Sequence, residues 1–151
     1  MTKLTVSTKI YAPLATVREY MRNPEHIIHR AFADATTRHC PWAKWSEPKV
    51  GETFVTRMEA RDGSFWFDLV GQYTAVSQME SFSYIMGSYK RDTDFVPAGR
   101  VVDVTFQETA EDGVLVTEIF DAEEIHNHEM QIAGRQAILE NFKKCCETDS
   151  K

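Results

Sequence analysis

Two Asp-Gly pairs, Asp62-Gly63 and Asp112-Gly113, each sit between runs in which apolar and polar residues alternate. Such a pair supplies the positive φ that a tight hairpin turn needs, so each pair joins two antiparallel strands. The first pair divides ETFVTRMEARDGSFWFDLVGQYTAV, the second divides GRVVDVTFQETAEDGVLVTEIFDAE, and ESFSYIMGSY supplies a strand between them. Antiparallel strands in succession leave an apolar face that something must cover. Only one segment is long enough for that: a helix over about residues 127–147, within EMQIAGRQAILENFKKCCE.

The chain before the hairpins completes the order. KLTVSTKIYA alternates at Leu4, Val6, Thr8 and Ile10 and reads as a strand. Pro13 then opens a helix over PLATVREYMRN, where its missing N–H costs nothing. NPEHIIHRAF restarts as a second short helix, with Asn23 as N-cap and Pro24 at the first helical position. Residues 33–50 predict a loop with a short strand, and the charged YKRDTDFVPAG predicts a mobile hairpin loop. The expected fold is α+β: one domain over residues 1–151, with a curved antiparallel sheet of about six strands wrapped round the long helix.

Composition restricts the function. A chain of 151 residues with 42% hydrophobic and 26% charged residues can bury a real core. Its net charge of -6 lacks the basic footprint of a general nucleic-acid binder. No apolar run approaches a membrane span of roughly 20 residues. MTKLTVSTKIYAP has no signal-like hydrophobic core, so the expected location is cytoplasmic. Three cysteines, Cys40, Cys145 and Cys146, make no disulfide framework. Adjacent Cys145 and Cys146 read as small apolar residues near a helix end, with redox activity as the alternative.

On the long helix, Arg135 falls inside the apolar arc. With Arg135 at zero, Leu139 and Ile132 lie at about +40° and +60°, Phe142 at about -20° and Ile138 at about -60°. Gln131 and His128 share that side, while Glu129, Gln136, Glu140, Lys143 and Glu147 cluster at about +80° to +140°, the expected wet side. A guanidinium there has three possible fates. It snorkels to solvent, pairs with a carboxylate on a facing strand, or grips an anionic ligand through two parallel hydrogen bonds. Arg18 reads as part of a solvated helix face. Arg30 follows HIIH, where a cation suits the helix C-terminus, and is also a candidate for the ligand.

Other chemistry is less well marked. His26, His29, His39, His126 and His128 form no tight zinc signature, so no metal or cofactor is expected. His126 and His128, near a helix N-terminus, are expected as neutral hydrogen-bonding groups or caps. Tyr84, Asp68, Glu59, Glu118 and Asp121 could serve as acids or bases, but alternation puts Glu59, Asp103 and Glu118 on the solvent face. No nucleophile elbow, P-loop or dinucleotide fingerprint occurs. Trp42 and Trp45 in CPWAKW are a core plug or a lid.

Three stretches, TVSTKIYAPLATVREYMRNPEHI, VGETFVTRMEARDGSFWFDLVGQYTAV and TEIFDAEEIHNHEMQIAGRQAILENFKK, together span nearly the whole chain. In that order they resemble the helix-grip superfamily of birch-allergen-like and START-like (SRPBCC) proteins, and within it the family of homologues of the Hsp90 ATPase activator. The resemblance implies a sheet of about six or seven strands gripping the C-terminal helix, with a cavity between them. It implies binding or transfer of hydrophobic small molecules, with hydrolysis or cyclisation in some members. No counterpart of the activator's second, chaperone-engaging domain is expected here. By analogy with relatives a homodimer is expected. Relatives commonly carry tryptophan where this chain has Arg18, Arg30 and Arg135.

The expected function is to bind an apolar ligand, with a possible anionic end, in the cavity. Arg135, Gln131, Ile138, Phe142, Phe54, Met58, Phe67, Tyr84, Arg30 and Trp42 are the candidate ligand-binding residues; none is assigned a catalytic role. The alternatives are an interaction or co-chaperone-like module with a filled cavity, and an enzyme using the same cavity.

Overall fold

A computed structural model of the chain describes residues 2–22, 38–39, 43–44, 49–60, 62–64, 66–77, 80–90, 94–109 and 113–149. The strands are β1 (Lys3–Ile10), β2 (Arg38–His39), β3 (Ala43–Lys44), β4 (Thr53–Ala60), β5 (Trp66–Ser77), β6 (Ser81–Lys90), β7 (Asp94–Glu108) and β8 (Val114–Asp121). The helices are α1 (Leu14–Arg22) and α2 (His128–Asp149). All the strands form one antiparallel sheet in the order β1-β8-β7-β6-β5-β4-β2, with β3 also on β4. Six long strands carry the sheet, and β2 and β3 add two residues each. α2 packs across one face in a helix-grip arrangement, as the order of elements predicts.

Alternation decides which side chains meet that helix. Phe54, Tyr73, Phe82, Tyr84, Val102, Val104, Phe106, Val116 and Phe120 point to one buried face and join Leu139, Phe142 and Cys146 of α2. The aromatic rings interlock: Phe54 lies 4.8 Å from Tyr84 edge-on and 5.2 Å from Tyr73. Gly71 sits opposite Phe54 in the ladder, and a Cβ there would come within 2.3 Å of the ring, so only glycine fits. The first hairpin forms at the predicted pair: Gly63 takes φ of 77° and Asp62 Oδ1 accepts from the Ser64 N–H at 2.9 Å. Asp112 and the proposed second short helix with Asn23 and Pro24 lie outside the described residues.

Two expectations are corrected. The segment read as a mobile hairpin loop is mostly strand, with Gly87 opposite Pro97, Ser88 opposite Val96 and Lys90 opposite Asp94. Pro97 is tolerated because this part of β7 pairs with β6 alone; pairing with β8 begins at Val102. Between the two stretches the register slips, and Gly99 takes φ of 89°. Asp121 stabilises the slip: its Oδ2 accepts from the Val101 N–H at 2.9 Å, and its Oδ1 accepts from Lys3 Nζ at 2.6 Å.

Arg18 is the second correction. It is 7% exposed, with its guanidinium over the rings of Phe106 (4.9 Å) and Phe82 (5.5 Å). Leu14, Val17, Arg18 and Met21 share the i, i+3, i+4, i+7 face of α1 that packs on the sheet, so a solvated position was never open to it.

Candidate functional site

α2 starts where Asn127 Oδ1 accepts from the Met130 N–H at 3.0 Å, so Asn127 is the N-cap. His126 and His128 flank it with Nε2 atoms 3.1 Å from Glu123 and 3.5 Å from Glu124. Gln131 turns back to the β8–α2 connection. Its Oε1 accepts from the Glu123 N–H and its Nε2 donates to the Glu123 carbonyl, both at 2.9 Å. Both ends of that amide are thereby used in holding the connection.

A pocket of about 430 Å³ lies between this half of α2 and the sheet. Its wall includes Leu69, Met86, Gly87, Ala98, Phe120, Met130, Gly134 and Ile138, with Asp68, Arg100, Glu123, Gln131 and Arg135 as polar members. That size and mixture suit a small organic ligand. Three of these charges have close partners. Arg100 meets Glu123 at 2.8 Å, and Arg57 grips Asp68 with Nε at 2.7 Å and Nη2 at 3.0 Å.

Arg135 is placed differently. Its side chain is 20% exposed, and its guanidinium lies 4.6 Å over the Phe120 ring. Nη1 is 3.9 Å from Glu118 Oε2 and 3.5 Å from the Tyr84 hydroxyl; Nη2 is 4.0 Å from Met86 Sδ. These are long for charge-assisted hydrogen bonds, which run at about 2.7–2.9 Å. Burial lowers the guanidinium's pKa, but Tyr84 and Glu118 raise it by more, so the net shift is upward and Arg135 is a fixed cation.

Glu118 was expected on the solvent face and is not there. It shares parity with Val114, Val116 and Phe120 on the inner face and is 14% exposed. The period-two rule applied along VLVTEIF was sufficient to find it. The expected wet side of α2 is also different. Gln136 Nε2 donates to the Ser7 carbonyl at 3.0 Å, and Lys143 Nζ donates to the Lys9 carbonyl, so this face runs along edge strand β1. The exposed positions of α2 are Glu129, as expected, together with Met130, Ala133, Gly134, Ala137, Lys144 and Thr148, so most of those in its first half are apolar.

Of the candidate residues, Arg135, Gln131 and Ile138 line the pocket. Phe54, Tyr84 and Phe142 belong to the buried core rather than the wall. Met58 and Phe67 lie on β4 and β5, with side chains outside the description. Arg30 and Trp42 lie outside the described residues, as do Trp45, Cys40, His26 and His29. Sequence reasoning missed Arg100, Glu123, Met130 and Gly134, which only the β7 register slip and the turn into α2 bring to the wall. Among the described residues no helix is long and apolar enough to cross a membrane.

No protein-family model and no curated protein matches the chain. Solved structures do. An AHSA1-like protein from Aeromonas hydrophila is 32% identical with a TM-score of 0.80, over 98% of this chain and 94% of that one. The protein Chr148 from Cytophaga hutchinsonii is 35% identical with a TM-score of 0.77, over 97% of this chain and 93% of that one. The Aha1 dimer from Colwellia psychrerythraea is 11% identical with a TM-score of 0.68, over 100% of both chains, a likeness of fold alone.

Proposed function

The chain belongs to the AHSA1-like family, and on that premise we propose that it binds an amphiphilic small molecule in the pocket beside α2. The apolar part of the ligand lies against Leu69, Met86, Phe120 and Ile138. Its anionic group takes up the guanidinium of Arg135. One observation carries this reading: a permanent cation on the wall of an apolar pocket, held by a ring face and by polar contacts of 3.5 Å or longer. A carboxylate offering two oxygens would shorten those contacts and satisfy donors that the protein serves poorly. Burial of the apolar part adds about 25 cal/mol per Å² removed from water. The proposed setting is the cytoplasm.

Native mass spectrometry of untagged protein, followed by solvent extraction, tests the proposal. The expected result is a stoichiometric amphiphile whose adduct disappears in Arg135→Gln. Loss of a hydrogen-bonded charge partner should weaken binding about tenfold or more. A bare mass, with no thermal shift across lipids, carboxylic acids and aromatics, would refute ligand binding.

A second reading, a homodimeric interaction module, draws on Ile125 and Met130, which are 90% and 74% exposed beside the pocket. The Colwellia relative is a dimer. Sedimentation of the wild type and of Ile125→Asp would separate the readings: a dimer lost in the variant, with no ligand bound, favours the module.

A further inference from the structure

We infer that Glu118 tunes the pocket to a singly charged head group, so that the ligand class is an amphiphilic monocarboxylate and not a dianionic phosphate monoester; the inference rests on the binding reading above. Glu118 is not part of the wall. It stands behind Arg135, on the inner face of β8 between Val116 and Phe120, with Oε2 3.9 Å from Arg135 Nη1. That separation leaves most of the Coulomb attraction and removes the hydrogen bond. Arg135 therefore keeps donors for a ligand, while its charge is already matched once.

Charge balance then discriminates among ligands. Among the described residues, the cations near the wall other than Arg135 are engaged elsewhere, Arg100 by Glu123 at 2.8 Å and Arg57 by both oxygens of Asp68. A single negative charge brought to Arg135 can draw on the full fork of the guanidinium and leaves one excess negative charge. A second negative charge finds no unmatched cation among the described wall residues and is repelled by Glu118 and Glu123. A neutral head group forgoes the charge-assisted bonds, and an ammonium head group meets Arg135 directly. Glu118 is thus a positioning residue: it touches no ligand and acts through the cation that does.

Calorimetric titration with decanoate, decyl phosphate and decanol at pH 8 tests this, because the phosphate monoester is then a dianion. Wild-type protein should bind decanoate about tenfold or more tighter than decyl phosphate, and decanol more weakly than decanoate. In Glu118→Gln, decyl phosphate should gain at least about threefold relative to decanoate, a ratio that a purely structural defect does not move. Equal wild-type affinities for decanoate and decyl phosphate would overturn the inference while leaving ligand binding intact. So would an unchanged ratio in a folded Glu118→Gln protein. If that variant fails to fold, the wild-type ratio decides alone. If none of the three probes binds, the binding reading fails and this inference falls with it.

Discussion

The two halves of α2 meet the sheet on different terms. Toward the C-terminus Leu139, Phe142 and Cys146 are 2% exposed or less, and Lys143 is tied to the Lys9 carbonyl and to Glu147. Glu147 in turn accepts from the Tyr11 N–H at 2.9 Å. Toward the N-terminus Met130, Ala133, Gly134 and Ala137 are exposed, and Arg135 and Ile138 border the pocket. One half has its apolar surface and its polar groups satisfied by the fold; the other has a cation with only distant partners. Such a division lets the closed half stabilise the whole helix while the other keeps donors and apolar surface for a ligand.

Phe142 gives the harshest test of that division. Phe142→Ala should cost about 3–5 kcal/mol in denaturant unfolding, the usual range for a fully buried phenylalanine. A loss below about 1 kcal/mol would mean that the C-terminal half is not the closed one.

Asp121 should matter less. Asp121→Asn should cost about 1.5–3 kcal/mol, since it weakens hydrogen bonds to a charged group. Its pKa is lowered chiefly by the Lys3 hydrogen bond, against burial, which raises it. A lowered carboxylate pKa contributes stability that is present above the ordinary aspartate value of 3.8 and is lost as pH falls through the folded-state value. Wild-type protein should therefore lose stability below about pH 4, and Asp121→Asn should flatten that limb. Unchanged acid limbs in the two proteins would remove Asp121 from the account.

Gly134 should give the smallest effect, with the opposite sign. Among the described residues a Cβ at Gly134 meets nothing within 4 Å, so Gly134→Ala should gain up to about 1 kcal/mol from helix propensity. A loss of stability there would show that something packs against this half after all.

Much of this was legible before any coordinates. Hairpin chemistry at Asp62-Gly63 fixed one turn, and alternation placed strands over the segments that carry Phe54, Tyr73, Phe82, Tyr84 and Val102 into the core. The apolar arc of α2 located Arg135 beside the sheet. Three features were hidden because they depend on neighbours remote in sequence. YKRDTDFVPAG has loop composition, yet β6 supplies the ladder and a glycine bulge absorbs the proline. The polar side of α2 suggested water, yet β1 lies alongside with open carbonyls. Arg18 has a charge typical of a surface, yet two aromatic faces wait beneath its helix. Glu118 is a different failure: its parity was readable, and its charge outweighed it.

The pairing of β1 with β8 also sets a timetable. Lys3 and Asp121 are 118 positions apart, so β1 lacks its partner until β8 has been synthesised. At roughly 5–20 residues per second on the ribosome, that interval is on the order of ten seconds. Ring closure over so long a span is slow in any case, because the chain must lose its freedom before the contact repays it. Until then Val6 and Ile10 have no sheet to enter, and the edge of β8's future site is open. The nascent chain therefore presents the apolar residues of β1 to whatever else is nearby for the whole of that interval.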